Sequence, residues 1–134
     1  MILDAGILFA AADKSQRHHA DARKILAKPG SRVVVEPALA EADYLILKHV
    51  GVAAEIQFVR ALSEGTLAIE TPTVADRRRA ADLVERHRDL KIGYVDAVTV
   101  AIAERLGETM IATLDQRHFR AIQPSHIPAF VLFP

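Results

Sequence analysis

The chain has no cysteine and no tryptophan in 134 residues, and only 5% of it is aromatic. Without thiols there is no disulfide, no thiolate zinc site and no cysteine nucleophile. An excess of charge is missing too, since 17 Lys and Arg balance 17 Asp and Glu. A neutral chain has no global field for holding a polyanion, so any nucleic-acid contact must be local. No stretch approaches the roughly 20 consecutive apolar residues of a membrane span, and no basic segment opens the amino terminus. A soluble, cytoplasmic protein with no membrane contact is expected. There is no repeat, low-complexity tract or linker, and the length suits one domain over residues 1–134. A domain near 150 residues buries roughly 68–70% of the surface its unfolded chain exposes, enough for a core without staples.

What is present is an alternation of strand-like and helix-like segments. Met1-Ile-Leu-Asp-Ala-Gly6 is a short apolar strand running into an acid, followed by a helix over Ile7 to Ala12. A strand flanked by helices in this way is expected at the centre of a parallel sheet, buried on both faces. Ser15 is placed to cap a second helix to about Ala27, with His18, Ala22, Ile25 and Leu26 as its buried stripe. Arg32 to Glu36 reads as a strand, and Pro37 fits the first turn of a helix that Gly51 stops. The next helix carries Val52, Ile56, Val59 and Leu62 on one face, and Leu67 to Glu70 is a strand.

Thr73 and Asp76 form a capping-box pattern opening a helix to about His87, with Ala80, Leu83, Val84 and His87 as its apolar stripe. After a loop from Asp89 to Gly93, a helix runs from Tyr94 to Leu106 and ends at Gly107. The strand Thr109 to Thr113, a helical turn over His118 to Ile122 and a last strand, Phe130 to Phe133, complete the chain. This order predicts a three-layer α/β/α domain with a mainly parallel central sheet of about five strands.

The acids are informative where water should be scarce. Asp96 lies in the first turn of a helix that is apolar nearly all round, the mark of a buried helix. Its charge suits the helix dipole but is costly to bury unpaired. Asp4 and Asp115 each follow an apolar strand, at the carboxyl edge where α/β folds keep their chemistry. A turn-forming aspartate is the plain alternative for Asp115. Glu41 shares a helix face with Ala38 and Leu45, while its neighbour Asp43 points elsewhere into solvent. Glu36 and Glu70 also follow strands, so position alone does not choose Glu41 over Glu36. Clustered carboxylates repel unless a cation or a proton intervenes. An all-oxygen cluster suits Mg²⁺ or Mn²⁺, which points to metal-dependent phosphoester hydrolysis.

Asp4 at the end of the first strand, Pro37-x-x-x-Glu41 opening a helix, Asp96-Ala97 in an apolar helix, and Thr113-Leu114-Asp115 with Phe119 together resemble the PIN-domain family. Within it, the compact length resembles the toxin ribonucleases of VapBC toxin–antitoxin pairs. The resemblance implies a PIN-like fold and a Mg²⁺- or Mn²⁺-dependent endoribonuclease that cuts structured RNA. It also implies a homodimer and inhibition by a small cognate antitoxin. The family's acidic quartet would be Asp4, Glu41, Asp96 and Asp115, with Thr113 a supporting hydroxyl. Two departures stand out. The family's hydroxyl residue just after the first acid is replaced by Ala5 and Gly6, and His118 stands where some members place a further acid.

Other patterns carry less chemistry. Arg77-Arg78-Arg79 with Arg86, Arg88 and Lys91 is the only basic cluster. The i,i+4 spacing of Asp82 and Arg86, with Glu85 and Asp89 nearby, makes a self-paired, solvated helix face the first reading. An RNA-backbone contact beside the acids is the other. His18 and His19 face different ways and read as core or surface residues. Tyr94 and Phe119 border the acids and can either pack in the core or stack on an unpaired base. Ile56, Phe58 and Val59 fit a dimer face as well as a core. A haloacid-dehalogenase-type phosphatase needs a second Asp where Gly6 stands, and a receiver domain needs a lysine that is missing after the last strand. The alternative from another class is a catalytically weak module of the same fold that binds RNA or protein.

Overall fold

Strand β1 (Ile2–Leu3) is the middle of a five-stranded sheet in the computed structural model, which describes residues 1–134. It pairs in parallel with β2 (Val33–Val35) on one side and β4 (Met110–Ala112) on the other. The edges are β3 (Ala68–Glu70) beside β2 and β5 (Val131–Phe133) beside β4, also parallel. The order β3-β2-β1-β4-β5 puts the chain's first strand where both faces can be covered. Ile2, Leu3, Val34, Val35, Ile111 and Ala112 are accordingly sealed from water.

Helices α1 (Ala5–Ala12), α2 (His19–Ala27), α3 (Glu36–His49) and α4 (Val52–Ser63) pack on one another, and α5 (Val74–Arg86), α6 (Tyr94–Leu106) and α7 (Arg117–Ala121) form a second group. Pro37 sits in the first turn of α3, and Gly107 ends α6 in the left-handed conformation with φ 67°. The Thr73–Asp76 capping box forms in full. Val98, Val100, Ile102 and Ala103 of α6 are buried, as its nearly continuous apolar sequence requires.

Several local expectations are corrected. Ser15 caps no helix: its N–H and hydroxyl both donate to Asp13, a tight turn that delays α2 until His19. The α4 stripe, which fits a dimer face as well as a core, is exposed at Val52 (59%), Ile56 (46%) and Val59 (52%). Val84 is exposed as well, so α5 buries only Ala80 and Leu83 of its stripe together with the capping Asp76. No Asp82–Arg86 pair forms; Arg79 reaches across to Glu104 on α6 at 2.8 Å instead.

Candidate active site

Asp4 is the N-cap of α1, so the first acid is fixed by the same residue that starts the helix. Its Oδ1 accepts from the Ala5 N–H at 2.8 Å, and its Oδ2 accepts from the Thr113 hydroxyl at 2.8 Å. Thr113 is fully buried just past β4, beside β1 in the sheet. Its hydroxyl also accepts from the Asp115 N–H at 3.2 Å, which ties the two strand-end acids into one backbone-anchored unit. Burial pushes the Asp4 carboxyl above its ordinary range; the Thr113 and Ala5 bonds offset part of this, and the charges of Asp96 and Asp115 push it further up.

Glu41 lies on α3 with its side chain exposed. Its carboxyl is raised by burial, then by the charges of Asp4 and Asp96. Of the strand-following glutamates, Glu70 is paired with Arg105 at 3.0 Å, and Glu36 is exposed in the first turn of α3. The neighbour Asp43 is a correction. It is half-buried, and its Oδ1 is shielded from water with no hydrogen-bond partner.

Asp96 sits in the first turn of α6 with a partner the sequence did not advertise. His118 Nδ1 donates to its Oδ2 at 2.6 Å. Arg117 lies on the other side of the ring, its guanidinium 3.2 Å from His118 Nε2. Because arginine can only donate, Nε2 accepts and Nδ1 carries the proton, which fixes the tautomer that donates to Asp96. The position where some relatives of this pattern place an acid is here a donor aimed into the site. Phe119 is core, whereas Tyr94, at the start of α6, is 47% exposed.

Thr113 joins two of the four predicted acids, Asp4 and Asp115, by hydrogen bonds. No three Asp, Glu or His side chains are gathered closely enough to hold a metal ion as they stand. The donor chemistry still fits a hard divalent cation. It is all oxygen, and the Asp4 and Glu41 carboxyls are raised by burial first and by neighbouring carboxylates second. Asp96 keeps one oxygen free of His118, while Asp115 Oδ1 accepts from the Arg117 N–H at 3.2 Å. A Cβ at Gly6 would meet Leu114 at 3.7 Å and Asp4 Oδ2 at 3.9 Å, ordinary contacts, so a hydroxyl residue fits where this chain lacks one.

Comparison with known proteins places the fold and the family. The PIN domain family model matches residues 1–123. The chain is 35% identical over 135 residues to Ribonuclease VapC26 of Mycobacterium tuberculosis, covering 100% of both. Its fold is similar to the crystal structure of M. tuberculosis VapC20, described as a sarcin–ricin loop cleaving toxin, with TM-score 0.82 at 18% identity over 94% of this chain and 97% of that one. It is also similar to a chain of a toxin–antitoxin complex from Klebsiella pneumoniae, with TM-score 0.67 at 20% identity over 97% and 98% of the two chains. The likeness to the curated relative runs end to end, and the family match takes in all four acids. The chain belongs to the PIN-domain family.

Proposed function

We propose that the protein is a Mg²⁺- or Mn²⁺-dependent endoribonuclease toxin that cuts structured RNA by water attack on a phosphodiester. The observation that carries this reading is the unit at the carboxyl edge of the sheet, where the Thr113 hydroxyl donates to Asp4 Oδ2 at 2.8 Å and accepts from the Asp115 N–H at 3.2 Å. The name of the M. tuberculosis relative supports RNA as the substrate. Asp4 and Asp96 would hold the cation, with Glu41 and Asp115 completing the set. Thr113 keeps Asp4 oriented, and the Arg117–His118 pair keeps Asp96 oriented. When bound, the ion supplies Lewis acidity that activates water and neutralises charge at the scissile phosphate. Unpaired loops of a tRNA or rRNA suit a recessed acidic site better than a duplex does, because their backbone can bend toward it. The products would carry a 5′-phosphate and a 3′-hydroxyl.

The direct test is cleavage of a folded RNA by purified protein in Mg²⁺ and in EDTA. Cleavage that persists in EDTA would sink the metal requirement. The same site predicts that Mg²⁺ or Mn²⁺ raises the melting temperature, because the ion binds only the folded chain. A differential-scanning trace that ignores both ions would count against it.

A cognate antitoxin is part of the reading, supported by the toxin–antitoxin assembly of the K. pneumoniae structural relative. Arginine suits carboxylates through its bidentate fork, so the antitoxin is expected to present Arg or Lys beside Asp4 and Asp96. The saturated complex should be inactive in excess Mg²⁺, and undiminished cleavage by it would refute this. The exposed stripe of Val52, Ile56 and Val59 on α4 supports a homodimer.

A further inference from the structure

Exposed charges of both signs alternate between α5 and α6, where Glu85 and Asp89 lie among Arg86, Arg88 and Lys91. The connection from α5 to α6 carries Arg86, Arg88 and Lys91, all exposed and none in an ion pair. By contrast, Arg79 of α5 is committed to Glu104, and Arg105 of α6 to Asp76 and Glu70. Those long-range pairs also fix where the connection lies. They join the start of α5 to the end of α6, so the two helices run antiparallel. The end of α5 and the start of α6, where Asp96 sits, therefore lie together.

From Arg86 the chain makes a single 3₁₀ turn over Arg88–Leu90 and passes through Lys91 in the left-handed conformation, φ 52°. It then enters α6 at the half-exposed Tyr94. The chain from Lys91 to Asp96 spans at most about 18 Å even if fully extended. An acidic cleft repels a phosphate backbone, and a neutral chain must supply local cations to hold it. Cations on the connection that leads into α6 meet that need locally, and neither Glu85 nor Asp89 holds any of them in an ion pair.

We propose that Arg86, Arg88 and Lys91 form the track that holds the RNA backbone at the acidic site, with Tyr94 as the stacking face for an unpaired base. This rests on the ribonuclease reading above and names the surface by which that site receives its substrate. The cations act as point charges on phosphates, and the tyrosine acts through its ring, so the two contributions differ in their response to salt.

The test is binding of a fluorescein-labelled RNA hairpin in EDTA, followed by anisotropy over a series of salt concentrations. Each single-strand phosphate contact contributes about −0.7 to the slope of log affinity against log salt. Arg86→Ala/Arg88→Ala/Lys91→Ala should reduce the slope by about 2 and weaken binding on the order of 50-fold at 0.15 M salt, and each single substitution should remove about 0.7. Arg86→Lys/Arg88→Lys/Lys91→Arg should keep the slope of the wild type. Arg77→Ala/Arg78→Ala, at the other end of α5, should keep it too. Tyr94→Leu should weaken binding at every salt concentration without changing the slope. The track is overturned if the triple alanine variant keeps the wild-type slope, if the Arg77/Arg78 variant loses as much, or if a wild type that cleaves RNA in Mg²⁺ shows no salt-dependent binding. A wild type that neither binds nor cleaves RNA overturns the ribonuclease reading and the track together.

Discussion

Asp4→Asn should lower RNA cleavage by at least about a thousandfold while raising the melting temperature of the metal-free protein. The first effect follows from the proposed role of Asp4 in holding the cation: losing it removes several kcal/mol of transition-state stabilisation, and each ~1.4 kcal/mol is tenfold in rate. The second follows from linkage. Burial and the neighbouring acids raise the folded-state pKa of Asp4. A raised carboxyl favours folding fully below its unfolded pKa, and that contribution is lost as pH rises through the folded pKa. At about pH 7 the buried carboxylate therefore opposes folding, and asparagine does not. Asparagine is also as good an N-cap as aspartate, so α1 keeps its start. Melts in EDTA should show the gain near pH 7 and little of it near pH 4, about where an unperturbed Asp titrates. A variant that is less stable at both pH values would mean that Asp4 is structural rather than a strained functional acid.

Asp76→Ala should be the most destabilising single change outside the apolar core. Asp76 is only 4% exposed. It accepts from the Thr73 N–H and the Thr73 hydroxyl at 2.8 Å each and from Arg105 Nε at 3.0 Å. Burial alone would raise its carboxyl, but the Thr73 bonds and Arg105 outweigh it and hold it below its ordinary range. Alanine removes half of the capping box and the link from α5 to α6, and leaves the exposed Thr73 N–H and hydroxyl to water. The loss is roughly 2–4 kcal/mol, since Arg105 is part-exposed and recovers some solvation. That corresponds to a fall in melting temperature on the order of 10 °C. The sign with pH is opposite to that of Asp4. Stability from the depressed carboxyls of Asp76 and Glu104 is present above their unfolded pKa and lost as pH falls through the folded one. Asp76→Asn should therefore flatten the acid limb of the stability curve. A melting temperature within about 2 °C of wild type for Asp76→Ala would contradict the clamp.

The central strand, the helix around Asp96 and the Thr73–Asp76 cap were legible because each is written locally, in a hydrophobic run, a period or a capping spacing. The strand-end acids Asp4 and Asp115 were legible for the same reason. The rest depends on contacts made across the fold. His118 reaches Asp96 over 22 residues, and no local spacing announces that bond. Helical spacing suggested an Asp82–Arg86 pair, yet the arginines that form ion pairs, Arg79 and Arg105, take tertiary partners. Glu41 and Glu36 are alike in sequence position and both are exposed, so the choice of Glu41 rests on the family resemblance. Periodicity placed Val52, Ile56 and Val59 on one face of α4 but carries no information on whether that face meets the chain's own core. Ser15 failed as a cap because Asp13, two residues earlier, captured its N–H and its hydroxyl.

The most direct measurement of the central claim is to incubate total RNA with wild-type protein and with Asp96→Asn in Mg²⁺, and to map the new 5′-phosphate ends. Asp96→Asn leaves the size of the side chain and an acceptor for His118 while removing the charge that the site needs. The account predicts one or a few cuts in the loop of a folded tRNA or rRNA with the wild type, and none of them with the variant. Indiscriminate degradation, or the same cuts from both proteins, would contradict it.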